Sequence, residues 1–80
     1  MTNSKTNSII LNNGCVYTGN FIYIDDILFL HGKGELLTLN GYKYEGHFIM
    51  NIMHGKFIVT NIYNDKRALV EYENGDVRIN

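Results

Sequence analysis

Proline and tryptophan are absent from this 80-residue chain, cysteine occurs once, and neither sign of charge dominates. The abundance of Asn and Ile without Pro is common under an A- and T-rich genome and carries no mechanism. A single Cys15 excludes an internal disulfide and any Cys/His metal spacing. A small buried apolar side chain in a reduced, intracellular (cytoplasmic) setting accounts for it better than a catalytic thiol does. The net charge is −1 and the basic residues are scattered, so no stripe of Lys and Arg suggests DNA, RNA or an anionic membrane surface. No run approaches the ~20 apolar residues of a membrane span. The polar start MTNSKTNS lacks the apolar core of a signal peptide. A chain this short makes one domain and buries roughly 60 % of its unfolded surface, so no enclosed active-site cavity is expected. Self-association or a partner would help so small a core.

What is present is a period of two. Residues 1–8 read as a disordered, Ser/Thr/Asn-rich tail, and residues 9–80 as a single domain. Cys15, Tyr17, Gly19, Phe21 and Tyr23 share one strand face, as do Tyr42, Tyr44, Gly46, Phe48 and Met50, and then Ala68, Val70 and Tyr72. Thr18, Asn20, Lys43, Glu45 and His47 alternate with them, the pattern of half-buried antiparallel strands. Three Asn-Gly pairs, at 13–14, 40–41 and 74–75, offer type I′ hairpin turns, and Asn64-Asp65 is a weaker fourth signal. Glycines 46 and 55 bracket the one stretch that could be helical, Ile49 to Met53. The predicted fold is therefore all-β: a meander of antiparallel strands at 9–11, 15–24, 27–31, 35–39, 42–50, 53–60, 66–72 and 76–79.

The chain also repeats itself. VYTGNF at 16–21 aligns with KYEGHF at 43–48, both reading Tyr-x-Gly-x-Phe; Asn-Gly precedes each, and His-Gly-Lys follows each, at 31–33 and 54–56. The tyrosines recur 27 residues apart and the histidines 23, so the first repeat carries a four-residue insertion within IYIDDILFL, with Asp25-Asp26 as its tip. This pattern resembles the MORN (membrane occupation and recognition nexus) repeat. Tyr44, Gly46, Phe48, His54 and Gly55 fit it best; Tyr17, Gly19, Phe21, His31, Gly32 and Gly34 fit it apart from the insertion. Repeats at about 13–39 and 40–62 would be followed by a degenerate third at 63–80, where Arg67, Leu69 and Glu71 stand at the motif positions. The resemblance implies hairpins stacked into one elongated, twisted antiparallel sheet. In such a sheet Gly19 and Gly46 would let an aromatic ring cross the backbone, Gly32 and Gly55 would be structural, and Gly55 would let its strand bend. Lys66, Arg67, Glu71 and Glu73 suit a charged terminal cap.

Weighed as chemistry, the residues point away from catalysis. No nucleophile–base pair, metal cluster or paired carboxylates are present, so no enzyme, catalytic residue, metal or cofactor is assigned. His31 and His54 could share a metal, but no Cys or carboxylate accompanies both, and a preferred repeat position explains them better. HGKGE at 31–35 lacks the Lys-Ser/Thr ending of a phosphate loop, and Asp25-Asp26 point apart at a loop tip. The aromatic row Tyr17, Phe21, Tyr23, Tyr42, Tyr44, Phe48 and Phe57 would, on a single-layer sheet, form an exposed interaction face. The insertion, with Ile27, Leu28, Phe29 and Leu30, is too apolar for a solvated loop and is predicted to fold over a face or dock on a partner. These features favour a protein-interaction or scaffold module that binds a partner protein or a second copy of itself. One alternative is lipid-headgroup binding at a membrane surface, which the isolated lysines 33, 43, 56 and 66 support weakly. Another is a small-ligand or nucleotide-binding protein, such as a viral or parasite inhibitor of a host factor, with Tyr rings converging on His31 or His54.

Overall fold

The structure, a computed structural model, describes residues 5–77, with side chains from residue 8 onward. The chain forms β1 (Lys5–Ile10), β2 (Val16–Ile24), β3 (Ile27–Leu37), β4 (Tyr42–Ile49), β5 (Ile52–Asn61), β6 (Lys66–Glu73) and β7 (Asp76–Val77). The seven strands make one open sheet in chain order, every neighbour antiparallel. The predicted all-β hairpin meander is what is observed. No helix of the described residues is long and apolar enough to cross a membrane.

Two boundaries differ from the sequence reading. Lys5–Ser8, assigned there to a disordered tail, belong to β1 and pair with Phe21, Asn20, Gly19 and Thr18. A polar segment is recruited because β2 would otherwise present a row of unpaired backbone groups, and the Ser8 and Thr18 hydroxyls add a 2.9 Å hydrogen bond. The separate strands predicted at 27–31 and 35–39 are one strand, β3. The remainder of the tail, and the end of the strand predicted at 76–79, lie outside the described residues.

That β3 continues through HGK follows from a bulge. Gly19 pairs with Gly34, yet Phe21 pairs with Leu30, so one residue of β2 faces three of β3. The second hairpin repeats the break: Glu45 pairs with Ile58 and His47 with His54, leaving Gly46 opposite three residues of β5. Gly32 (φ +104°) and Gly55 (φ +86°) sit in these bulges, in a region that side chains rarely adopt. Gly55 has open space where a Cβ would go, so its backbone angle alone requires glycine.

Turn chemistry also departs from expectation. Only Asn74-Gly75 has positive φ at both residues, as a two-residue type I′ turn needs. At 13–14 and 40–41 only the glycine does, and the Gly14 and Gly41 N–H groups donate to the Leu11 and Thr38 carbonyls. These are three-residue loops, a turn closed by a left-handed glycine. The tight turns of the first two hairpins are instead Asp25-Asp26 and Met50-Asn51, with positive φ at all four residues and no glycine.

The four-residue insertion becomes two further rungs of ladder. The first hairpin closes through Phe21–Leu30, Ile22–Phe29, Tyr23–Leu28 and Ile24–Ile27, whereas the second closes through Phe48–Met53 and Ile49–Ile52 only. The predicted tip at Asp25-Asp26 is where the chain reverses.

One face of the sheet is its core. Tyr17, Phe21, Leu30, Phe48 and Phe57 are buried there, with Ile9, Leu36, Met53, Val59 and Tyr72 packed around them. Tyr17, Phe48, Phe57 and Tyr72 run edge to face across the sheet, with centroid spacings of 5.3, 5.4 and 5.4 Å. A flat single layer could not hide Tyr17 and Phe57 completely, as this one does. Strand twist and two bulges curl the sheet toward its aromatic side.

Candidate functional site

The curl changes what the predicted interaction face can offer. Tyr17, Phe21, Phe48 and Phe57 are core side chains, a correction to the sequence reading, which left them on a surface. Tyr44 is half-buried, and only Tyr23 (57 % exposed) and Tyr42 (37 %) of that row remain accessible. The physical reason is that rings on a concave face cover one another. Tyr17 lies across Gly34, where an added Cβ would overlap its hydroxyl and ring, and Phe57 lies across Gly46, where a Cβ would come within 2.7 Å. The predicted crossing therefore occurs at Gly46. Gly19 serves a different purpose, because a Cβ there would meet the Gly34 Cα at 2.5 Å. The Tyr17 hydroxyl donates to the Asn20 carbonyl at 2.5 Å, and burial pushes its ionisation above the usual tyrosine value. Tyr72 is pushed up by burial and then by Tyr44.

The insertion divides by strand alternation. Leu30 is buried in the core and Leu28 packs against it. Ile22, Ile24, Ile27 and Phe29 face the other way, with Ile24 and Ile27 exposed. Rather than folding over a face, the segment extends the sheet. Its neighbour is the end of the second hairpin, tied on by two bonds: the Asn51 N–H donates to the Leu30 carbonyl at 2.8 Å, and the Leu30 N–H to Asn51 Oδ1 at 2.7 Å. Exposed Ile49 and Ile52 on that hairpin point to the same outer side as Ile24 and Ile27. The two hairpin ends thus present one isoleucine-rich outer patch, on which Asp25 and Asp26 are the charges supplied by the insertion.

The two repeat histidines are not brought together. His31 is on β3 and His54 on β5, with β4 between them. His31 Nδ1 accepts the Met50 N–H at 3.2 Å, while His54 lies directly across from His47, which the sequence gave no reason to single out. Among the described residues no three or more His, Cys, Asp or Glu side chains come close enough to hold a metal ion. Glu35 and Glu45 stand opposite each other on the outer face, and Lys43 approaches them at 4.0 and 3.8 Å. Lys43 is thereby engaged with carboxylates.

Sequence reasoning missed a groove of about 710 Å³ on the concave side. It runs from Ile9 and Leu11 past Tyr23 and Leu28 to Asn51 and Met53, with Leu30 and Phe48 at its floor. The usable signal was the parity of the insertion, which puts Tyr23 and Leu28 on the core side. The curl that closes β1 toward β5 left no trace in the spacing. Comparison with protein families, characterised proteins and solved structures finds no match to this chain.

Proposed function

We propose that this chain is a non-enzymatic protein-interaction module, built as a MORN-like hairpin array, whose contact surface is the outer patch at the ends of its first two hairpins. The observation that carries the reading is the pair of extra rungs, which carry Ile24 and Ile27 past the end of the second hairpin on the outer side that Ile49 and Ile52 also face, all four more than two-fifths exposed. Contiguous apolar surface rimmed by polar groups marks interaction sites. The matched bulges at Gly19/Phe21 and Glu45/His47 support a true structural repeat. Buried, unpaired Cys15 fits the reducing intracellular setting that the reading assumes. With Asp25 and Asp26 at its edge, the patch suits a partner that presents an apolar strip flanked by Lys or Arg.

A photo-crosslinking residue placed at Ile27, compared with one at Ile58 on the same outer side but away from the patch, tests this in cells that make the chain naturally. The expected result is a discrete cross-linked product from position 27 that disappears when Ile24→Lys is added. Equal labelling from both positions would sink the proposal. A product of twice the chain mass, with a dimer in light scattering, would make the partner a second copy.

A further inference from the structure

The concave groove goes beyond that reading, and we infer that it binds a neutral, largely apolar small molecule carrying a hydrogen-bond-accepting oxygen. Its volume falls within the roughly 300–1,000 Å³ range of small-molecule sites. Its walls are aliphatic and aromatic: Ile9 on one side, Tyr23 and Leu28 on the other, and Phe48 beneath. The Tyr23 ring is held edge-on against Phe21 at 5.9 Å, giving the lip a fixed aromatic edge. The wall exists because of the insertion. The second hairpin has no counterparts of Tyr23 and Leu28, so the two extra rungs raise one side of the groove only here.

The polarity of the occupant follows from the rim. Among the described residues no Asp, Glu, Lys, Arg or His lines the groove, so an ionised ligand would lose water without gaining a counter-charge from them. The polar groups present are the carboxamides of Asn12, Asn13 and Asn51 and the Tyr23 hydroxyl. Two of those amide oxygens are committed to backbone: Asn51 Oδ1 accepts the Leu30 N–H at 2.7 Å, and Asn13 Oδ1 accepts the Cys15 N–H at 3.0 Å. Each bond fixes which end of the amide is the donor, and no described residue accepts from the Nδ2 groups of Asn13 and Asn51. The rim therefore has N–H donors to give, and a ketone, ester or ether oxygen on an apolar frame is the chemistry that takes them.

Nile red, a flat neutral dye with a ring carbonyl, is the probe. Titrated into the purified chain, it should bind saturably at one site with a blue-shifted emission. The anionic naphthalene sulfonate ANS should bind at least tenfold more weakly. Leu28→Ser and Tyr23→Ser should each weaken Nile red at least fivefold, while Leu69→Ser, on the outer face, leaves it unchanged; circular dichroism and melting confirm the fold of each variant. Tyr23 is mostly exposed, so its variant keeps the test alive if Leu28→Ser does not fold. Asn51→Asp retains the oxygen that accepts from Leu30 and the residue's tolerance for positive φ, but removes the donor; it should weaken Nile red about tenfold. Non-saturable uptake, ANS binding as tight as Nile red, or an unchanged affinity in Asn51→Asp would overturn the inference. Ile24→Lys, in the outer patch, should leave dye binding intact, which separates failure of the groove from failure of the interaction reading.

Discussion

Gly34 has no positive φ to justify it, only a neighbour: the Tyr17 ring occupies the space where its side chain would be. Tyr17 is fully buried and held by its bond to the Asn20 carbonyl, so it cannot swing aside. Gly34→Ala should therefore cost about 1–3 kcal/mol, the range for overpacking a well-filled core. Urea denaturation would measure it, and the penalty should shrink in a Tyr17→Leu background, where the ring is gone. The same tyrosine gives the fold an alkaline limit. Folding raises the ionisation of Tyr17 and Tyr72 above the ordinary value near 10, so the unfolded chain releases those protons first. Their contribution is complete below pH 10 and is lost as pH climbs through the folded-state values. Deprotonated Tyr17 would also set an anionic oxygen against the Asn20 carbonyl. The urea midpoint should fall steeply above pH 10, and Tyr17→Phe with Tyr72→Phe should flatten that fall.

A hairpin is the element at which the insertion acts, and the register says how to remove it. Deleting Ile22, Tyr23, Leu28 and Phe29 takes out two whole rungs and joins Phe21 to Ile24 and Ile27 to Leu30. The result copies the shorter second hairpin, Phe48 to Met53, in length and in face parity. This variant should fold to the same sheet by circular dichroism, melt several degrees lower through lost burial of Leu28 and Phe29, and lose Nile red binding with the groove wall. The tight turns make a second prediction. Met50 holds φ at +47° although its side chain has none of the local hydrogen bonding that lets Asn or Asp sit there. The two-residue loop length after the bulge imposes that angle, which is why residue preference did not reveal it. Met50→Asn should stabilise the protein by about 0.5–1 kcal/mol, read as a higher melting temperature. No gain would mean that the half-buried Met50 side chain contributes as much as the strain costs.

Over the whole molecule, what was legible was local and what was not was cumulative. Tyr-x-Gly-x-Phe repeated with its flanking Asn-Gly and His-Gly-Lys placed the hairpins, and the mismatch between tyrosine and histidine spacings placed the insertion. The curl is a sum of small twists over seven strands and two bulges, and no single residue encodes it. Phe57 therefore read as one more ring on an open face, when it is a hub of the core touching Phe48 and Tyr72. The groove was invisible for the same reason. Sheet order equal to chain order also bears on folding: the substantial contacts all join consecutive strands, a low-contact-order topology for an all-β chain. With no proline anywhere in the sequence, the tens-of-seconds isomerisation phase that delays many small proteins has no source. Stopped-flow refolding from urea should be a single exponential with a time constant on the order of milliseconds. A minor phase lasting seconds, surviving dilution of the protein, would instead reveal strands trapped in a register without the Gly19 or Gly46 bulge. Such a slip is of two residues, so Phe21 and Phe48 keep their face but stand opposite Gly32 and Gly55 in place of Leu30 and Met53, and that phase should vanish when refolding starts from a state in which the first two hairpins are already closed.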